Sequence, residues 1–241
     1  MIDDLDLGYF EQKYLPAAYA PEILAQNGRT REERLEALRF ITAGGKPTVG
    51  GTLTLSPAAR RFIPGAYVQF VRFSGKDIVS PVIDHKELKG TLESVASSSM
   101  ELLRLHVPIA LERPPEGGPD RRPPLFPFVA LQELVVNAMM HRTYESNSPI
   151  RTYYYEDRIE IVSPGGPFGD VTLTNFGQPN VTAYRNPIVA EALKTLNLAQ
   201  RFGFGIAAAR AALKENGNPP LEIDVQPTMI TVTLRPRSVA P

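Results

Sequence analysis

The chain has no cysteine. Disulfides, thiolate zinc sites and cysteine nucleophiles are therefore excluded. It has no net charge either, because 26 basic side chains balance 26 acidic ones. That leaves no bulk attraction to nucleic acid or to an anionic membrane, and only local patches could supply one. No apolar run is long enough to span a bilayer, and the N-terminus lacks a basic-then-apolar signal pattern. The expectation is a soluble, cytoplasmic protein with no membrane partner. The phosphate loop G-x-x-x-x-G-K-S/T is missing, since Gly45-Lys46 and Gly75-Lys76 have the wrong flanks, and no G-x-S-x-G occurs. Proline, by contrast, is plentiful. Its 23 copies in 241 residues imply many loop and turn boundaries rather than a plain helical bundle. That length can bury a sizeable core.

Residues 1–15 pattern as a short amphipathic helix, and 30–40 as a stronger one that Gly44-Gly45 breaks. Thr30 and Glu33 have capping-box spacing, with Leu35 and Leu38 on the apolar side. "TLTL" at 52–55 alternates like a strand, and "AYVQFVRF" at 66–73 does so more clearly. Residues 87–105 pattern as a long helix with Leu88, Leu92, Val95, Met100 and Leu103 inward. The proline-rich stretch 113–127 is a loop or extended hairpin. A helix follows from about Phe128. "IRTYYY" and "RIEIVS" then flank Glu156-Asp157 as a hairpin, which runs into the glycine loop "SPGGPFG". "NPIVAEALKTL" is a helix with Pro187 in its first turn. "RFGFGIAAARAALKENG" is a glycine turn and a helix stopping at Gly217, before two closing strands. Strands come as antiparallel neighbours and helices collect elsewhere. The expected fold class is α+β, a two-layer sandwich of a mixed, mainly antiparallel sheet with helices on one face.

Within "ALQELVVNAMMHR", Glu133, Asn137 and His141 recur every four residues and share one helix face. Such groups are costly to bury without partners. They either satisfy backbone groups nearby or face a ligand. An amide oxygen is a hard ligand suited to magnesium, and a carboxylate one turn away can orient or deprotonate water. The glycines of "SPGG" and "GFGI" are open to two readings as well. They are plain turns, or they are ligand contacts, Gly203 and Gly205 opening a helix whose free N–H groups favour phosphate. Arg60-Arg61 and Arg121-Arg122 read as solvated loop charges, and His85 as a surface residue.

Taken in order, E-x-x-x-N on a helix, a hairpin ending in a glycine loop and a G-x-G helix start resemble the GHKL ATPases. That superfamily includes gyrase B-type, histidine-kinase and heat-shock chaperone ATP-binding domains. "LQELVVNAMMHRTYE", "YEDRIEIVSPGG", "YRNPIVAEAL" and "RFGFGI" more closely resemble the GHKL-like domain of bacterial proteins described as RecG-C-terminal-like or as transcriptional regulators. In those proteins a Schlafen/AlbA-type DNA-binding module comes first. "GGTLTL" and "RRFIPGAYVQFVRFSG" are similar to its end and the segment after it. The resemblance implies a remnant of that module over 1–74 and a GHKL-like domain over 75–241.

It also implies site roles. Glu133 is the water-activating carboxylate, and Asn137 the magnesium ligand within an ATP site. His141 either bonds a carbonyl or caps the helix end, or lines the pocket behind Asn137. Gly165 and Gly166 pass the adenine, and Gly203 and Gly205 contact phosphate. Ser163 stands where the wider superfamily has an adenine-binding aspartate. Arg185, between the glycine segments, is a phosphate candidate by charge. The implied function is an ATP-binding transcriptional regulator with Mg-ATP as cofactor, slow hydrolysis at most, and residues 167–201 as a lid. It would act on DNA through a missing or separate module, with homo-oligomers open. The alternatives are a non-catalytic interaction or dimerisation module, and a DNA-binding factor that uses no nucleotide.

Overall fold

The computed structural model describes every residue except 27, 114–118, 179–180, 182, 200–204 and 239–241. Its strands are β1 (Val68–Phe73), β2 (Val82–Leu88), β3 (Ile150–Tyr154), β4 (Ile159–Pro164), β5 (Glu222–Val225) and β6 (Met229–Leu234). They form one sheet in the order β2-β1-β3-β4-β6-β5. The β1–β3 pair is parallel and the other four pairs are antiparallel. The helices are α1 (Leu7–Tyr9), α2 (Leu15–Ala18), α3 (Pro21–Gln26), α4 (Arg31–Ala37), α5 (Val49–Leu55), α6 (Leu92–His106), α7 (Phe128–His141), α8 (Pro187–Thr195) and α9 (Gly205–Glu215). This is the α+β sandwich expected. Its core runs as a single buried cluster from Leu5 to Leu234. A small aromatic cluster of Val71, Phe73 and Tyr155, flanked by Tyr153, forms apart from it.

Helix α7 is central. Leu131, Leu134, Val135, Val136, Met139 and Met140 are all buried, as befits a helix apolar nearly all round. It packs against α6, α9, α8 and β4. The capping box of α4 forms as expected, Thr30 accepting from the Glu33 amide and Glu33 from the Thr30 amide. The helix stops sooner than expected, at Ala37, where Arg39 turns to φ 59°.

Two elements differ from the sequence reading. "TLTL" is not a strand but the buried end of α5. Thr48 caps that helix through the Gly51 amide, at 3.0 Å. A Cβ on Gly51 would lie 2.0 Å from the Phe40 carbonyl oxygen, and one on Gly50 2.4 Å from Ile188. Close packing at two glycines therefore outweighs the alternating pattern and the local β preference of the threonines. The long helix expected over 87–105 is shorter at its start and one residue longer at its end. Residues 82–88 are the edge strand β2, and Thr91 caps α6 by accepting from the Ser94 amide. Leu92, Val95, Met100 and Leu103 do point into the core. Leu88, half-buried, belongs to the strand.

Candidate functional site

Glu133 is buried, 7% exposed, and Asn137 is half-buried one turn on. Facing them is the first residue of α9. A Cβ built on Gly205 would lie 3.0 Å from Glu133 Oε2 and 3.6 Å from Asn137 Nδ2. The backbone that opens α9 thus lies against the carboxylate–amide pair, and only a residue without a side chain comes this close unstrained. The first N–H groups of a helix lack intrahelical acceptors and carry its positive dipole end. A carboxylate, an amide and a helix N-terminus therefore converge at one place. Gly203 lies outside the described residues.

The second group gathers at the C-terminal end of α7. Ser163, at the end of β4, is 8% exposed and donates its hydroxyl to the Ala138 carbonyl at 3.4 Å. That leaves its oxygen lone pairs as an acceptor. The glycine loop beyond it is held by backbone on both sides. Thr143 N–H donates to the Pro164 carbonyl and Gly165 N–H to the Thr228 carbonyl, each at 2.8 Å. Gly165 takes φ 103°, and a Cβ on Gly166 would lie 2.2 Å from the Pro227 oxygen. Both glycines are demanded by packing, whatever else they contact.

Arg185 turns onto this loop. Its Nη2 donates to the Gly166 carbonyl at 3.0 Å and the Pro167 carbonyl at 3.3 Å, and its guanidinium lies 4.8 Å from the Phe168 ring centre. Its neighbour Asn186 donates to the Met140 carbonyl at 3.0 Å and the Arg142 carbonyl at 2.7 Å, satisfying acceptors at the end of α7. His141 stacks on Tyr184, 5.7 Å between ring centres. Burial pushes its imidazole down to about 4; a backbone bond to Ala183 opposes the shift and the Arg185 charge adds to it. His141 is therefore neutral at pH 7.

The sequence-read residues thus fall into two groups along α7: Glu133, Asn137 and Gly205; then His141, Ser163, Gly165, Gly166 and Arg185. Two further residues had no role assigned from the sequence. Asn186, within "YRNP", precedes Pro187 but makes no capping bond to its own helix and caps α7 instead. Arg142, 1% exposed, donates to the carbonyls of Gly65, Thr143, Ser146 and Ser148, and so fixes the loop after α7. A small hollow lined by Leu53, Ala66, Leu92, Val95 and Met139, with Arg142 and Tyr144, includes none of the candidate residues. Its apolar walls suit packing rather than phosphate chemistry. Among the described residues, no three His, Asp or Glu side chains gather to hold a metal ion, and no helix is long and apolar enough to cross a membrane.

Residues 147–234 match the family described as "Putative ATP-dependent DNA helicase recG C-terminal". The match likens that segment to a GHKL-like, ATPase-type domain. It takes in Ser163, both glycine segments and Arg185, and it begins after α7, so Glu133, Asn137 and His141 rest on geometry. No curated protein matches the chain. Among solved structures, the DIP2311 protein from Corynebacterium diphtheriae is similar, with a TM-score of 0.74 and 20% identity over 99% of this chain and 46% of that one. The chain thus spans just under half the length of that protein. At such identity the likeness is one of fold.

Proposed function

We propose that the chain binds Mg-ATP between α7 and the two glycine segments, and that it is a regulatory protein whose output depends on that binding. The observation that carries this reading is the abutment of Gly205 on Glu133 and Asn137. It brings the start of an eleven-residue helix, a buried carboxylate and the Asn137 side-chain amide, whose oxygen is a hard ligand, to one point. The donor set fits the group: magnesium takes few protein ligands and keeps phosphate and water oxygens. Bound there, Mg-ATP supplies a phosphoanhydride and a metal charge beside the helix N-terminus. Asn137 would hold the magnesium, and the first amides of α9 would receive phosphate oxygens. Glu133 would orient a water, and hydrolysis, if it occurs, is slow. The Ser163 oxygen, its proton directed at Ala138, would accept from the adenine amino group, with less charge assistance than a carboxylate.

The part of the chain free to reorder on binding is shorter than 167–201. Val189, Ala190, Ala192 and Leu193 seat α8 in the core. Any reordering would fall outside α8. The proposed output is transcriptional, through a partner or a DNA-binding module.

The test is a thermal-shift titration with Mg-ATP, Mg-ADP and Mg-GTP on the wild type and on Asn137→Ala. Ligand at 100 times its dissociation constant stabilises by about 2.7 kcal/mol, roughly 5–10 °C for a chain of this size. A shift with ATP that Asn137→Ala abolishes supports the site. No shift with any nucleotide at millimolar concentration removes it, and leaves a scaffold that binds no nucleotide.

A further inference from the structure

Arg185 and Asn186, adjacent in the chain, reach two different walls of the site. Arg185 holds the Gly166 and Pro167 carbonyls of the glycine loop. Asn186 holds the Met140 and Arg142 carbonyls at the end of the helix that carries Glu133 and Asn137. Pro187 then starts α8, whose buried face anchors the pair in the core. We propose that Arg185 and Asn186 form a two-pronged staple that sets the spacing between the base end and the phosphate end of the nucleotide site. Both are positioning residues, and this inference rests on the nucleotide reading above.

The chemistry favours this role over direct phosphate contact. Nη2 of Arg185 is already committed to two carbonyls, and its guanidinium plane is spent on the Phe168 ring. Its Nε is buried and without a hydrogen-bond partner, so the group is held by the loop rather than turned to solvent. A guanidinium suits this task because its rigid plane fixes the two N–H groups of Nη2 toward both carbonyls, whereas an ammonium is a compact charge on a flexible stem. Asn186 gives up the capping of its own helix to serve α7. An Asn there can satisfy two acceptors from one amide nitrogen, and alanine would leave both orphaned.

The staple predicts a split between ligands. Inorganic tripolyphosphate with magnesium needs only the Glu133–Asn137–Gly205 end. ATP needs both ends at their correct separation. Arg185→Ala should therefore weaken Mg-ATP by about tenfold or more, the worth of one charge-assisted hydrogen bond. It should leave Mg-tripolyphosphate within about twofold, a change too small to reflect a lost hydrogen bond. Arg185→Lys should recover part of the loss. Titration calorimetry on the full chain measures all three. Equal weakening of both ligands, or of neither, overturns the staple. A second measurement needs no ligand. Amide hydrogen exchange should quicken in Gly166, Phe168 and Gly169 for Arg185→Ala, and in the last turn of α7 for Asn186→Ala, each without the other. Simultaneous quickening of both segments in either variant, or of neither, also overturns it. If the wild type binds neither ATP nor tripolyphosphate, the nucleotide reading has failed, and the exchange pattern still decides whether the staple exists.

Discussion

Replacing Gly205 by alanine separates the architecture of the site from the stability of the fold. Gly205 opens α9 without a positive φ, so alanine is allowed by the backbone. Alanine gains up to about 1 kcal/mol in helix propensity and through a less free unfolded chain. Against that, its Cβ would stand 3.0 Å from Glu133 Oε2, a few tenths of an ångström inside ordinary contact, and 3.6 Å from Asn137 Nδ2. Glu133 is the group that must yield, since Asn137 is already at normal distance. The two effects nearly cancel, and the ligand-free urea midpoint should move by no more than about 1 kcal/mol. Binding should not escape. A displaced carboxylate and a displaced helix start should weaken Mg-ATP about tenfold. At ligand equal to 100 wild-type dissociation constants, the variant then gains about 1.4 kcal/mol where the wild type gains about 2.7 kcal/mol. Paired melts with and without Mg-ATP read this as a ligand shift cut to about half. A full shift in the variant would refute the placement of phosphate at α9. A ligand-free loss beyond about 2 kcal/mol would show instead that the Gly205 contact is rigid core packing.

Other outcomes follow from single contacts. Thr152 is 2% exposed and its hydroxyl has no hydrogen-bond partner. Thr152→Val should therefore stabilise by about 1 kcal/mol, seen as a higher urea midpoint; an unchanged or lower one would mean the hydroxyl is bonded. Gly166→Ala should destabilise by roughly 3 kcal/mol, because its Cβ would meet the Pro227 and Gln226 backbone at 2.2 and 2.6 Å. His141 titrates at about 4 when folded against 6.5 ordinarily. The unfolded chain thus takes up this proton first, and stability present above pH 6.5 is lost as pH falls toward 4, by roughly 3 kcal/mol. Urea midpoints of wild type and His141→Gln from pH 4 to 7 should diverge in that window and run parallel above it.

The elements that could be read in advance are those whose signal is local. The Thr30–Glu33 box, the hairpin around Glu156-Asp157 and the apolar run of α7 each carry their own instruction. The polar row on α7 was legible as a spacing of four. β2 was not, because "VIDHKEL" lies on a sheet edge with nearly every side chain exposed, so no alternation of apolar residues survives to mark it. α5 was not, because its helicity depends on Phe40 and Ile188, which lie elsewhere in the chain. In the site, residue types pointed to Glu133, Asn137 and the glycines. They could not show that Arg185 spends its charge on a loop, or that Asn186 caps a helix 44 residues earlier. Those are consequences of tertiary placement.

The parallel pairing of β1 with β3 limits where the chain can be cut. The segment that resembles a known family starts at residue 147, just ahead of β3. Yet β3 draws half its ladder from Val68–Arg72, on the far side of α6 and α7. A fragment of 147–234 would bare one whole edge of β3 and strip the cover from Ile150, Ile159 and Ile161, all at most 2% exposed in the intact chain. Such an edge is a template for pairing with other chains. The matched stretch is therefore not a unit of folding, and expressed by itself it should aggregate.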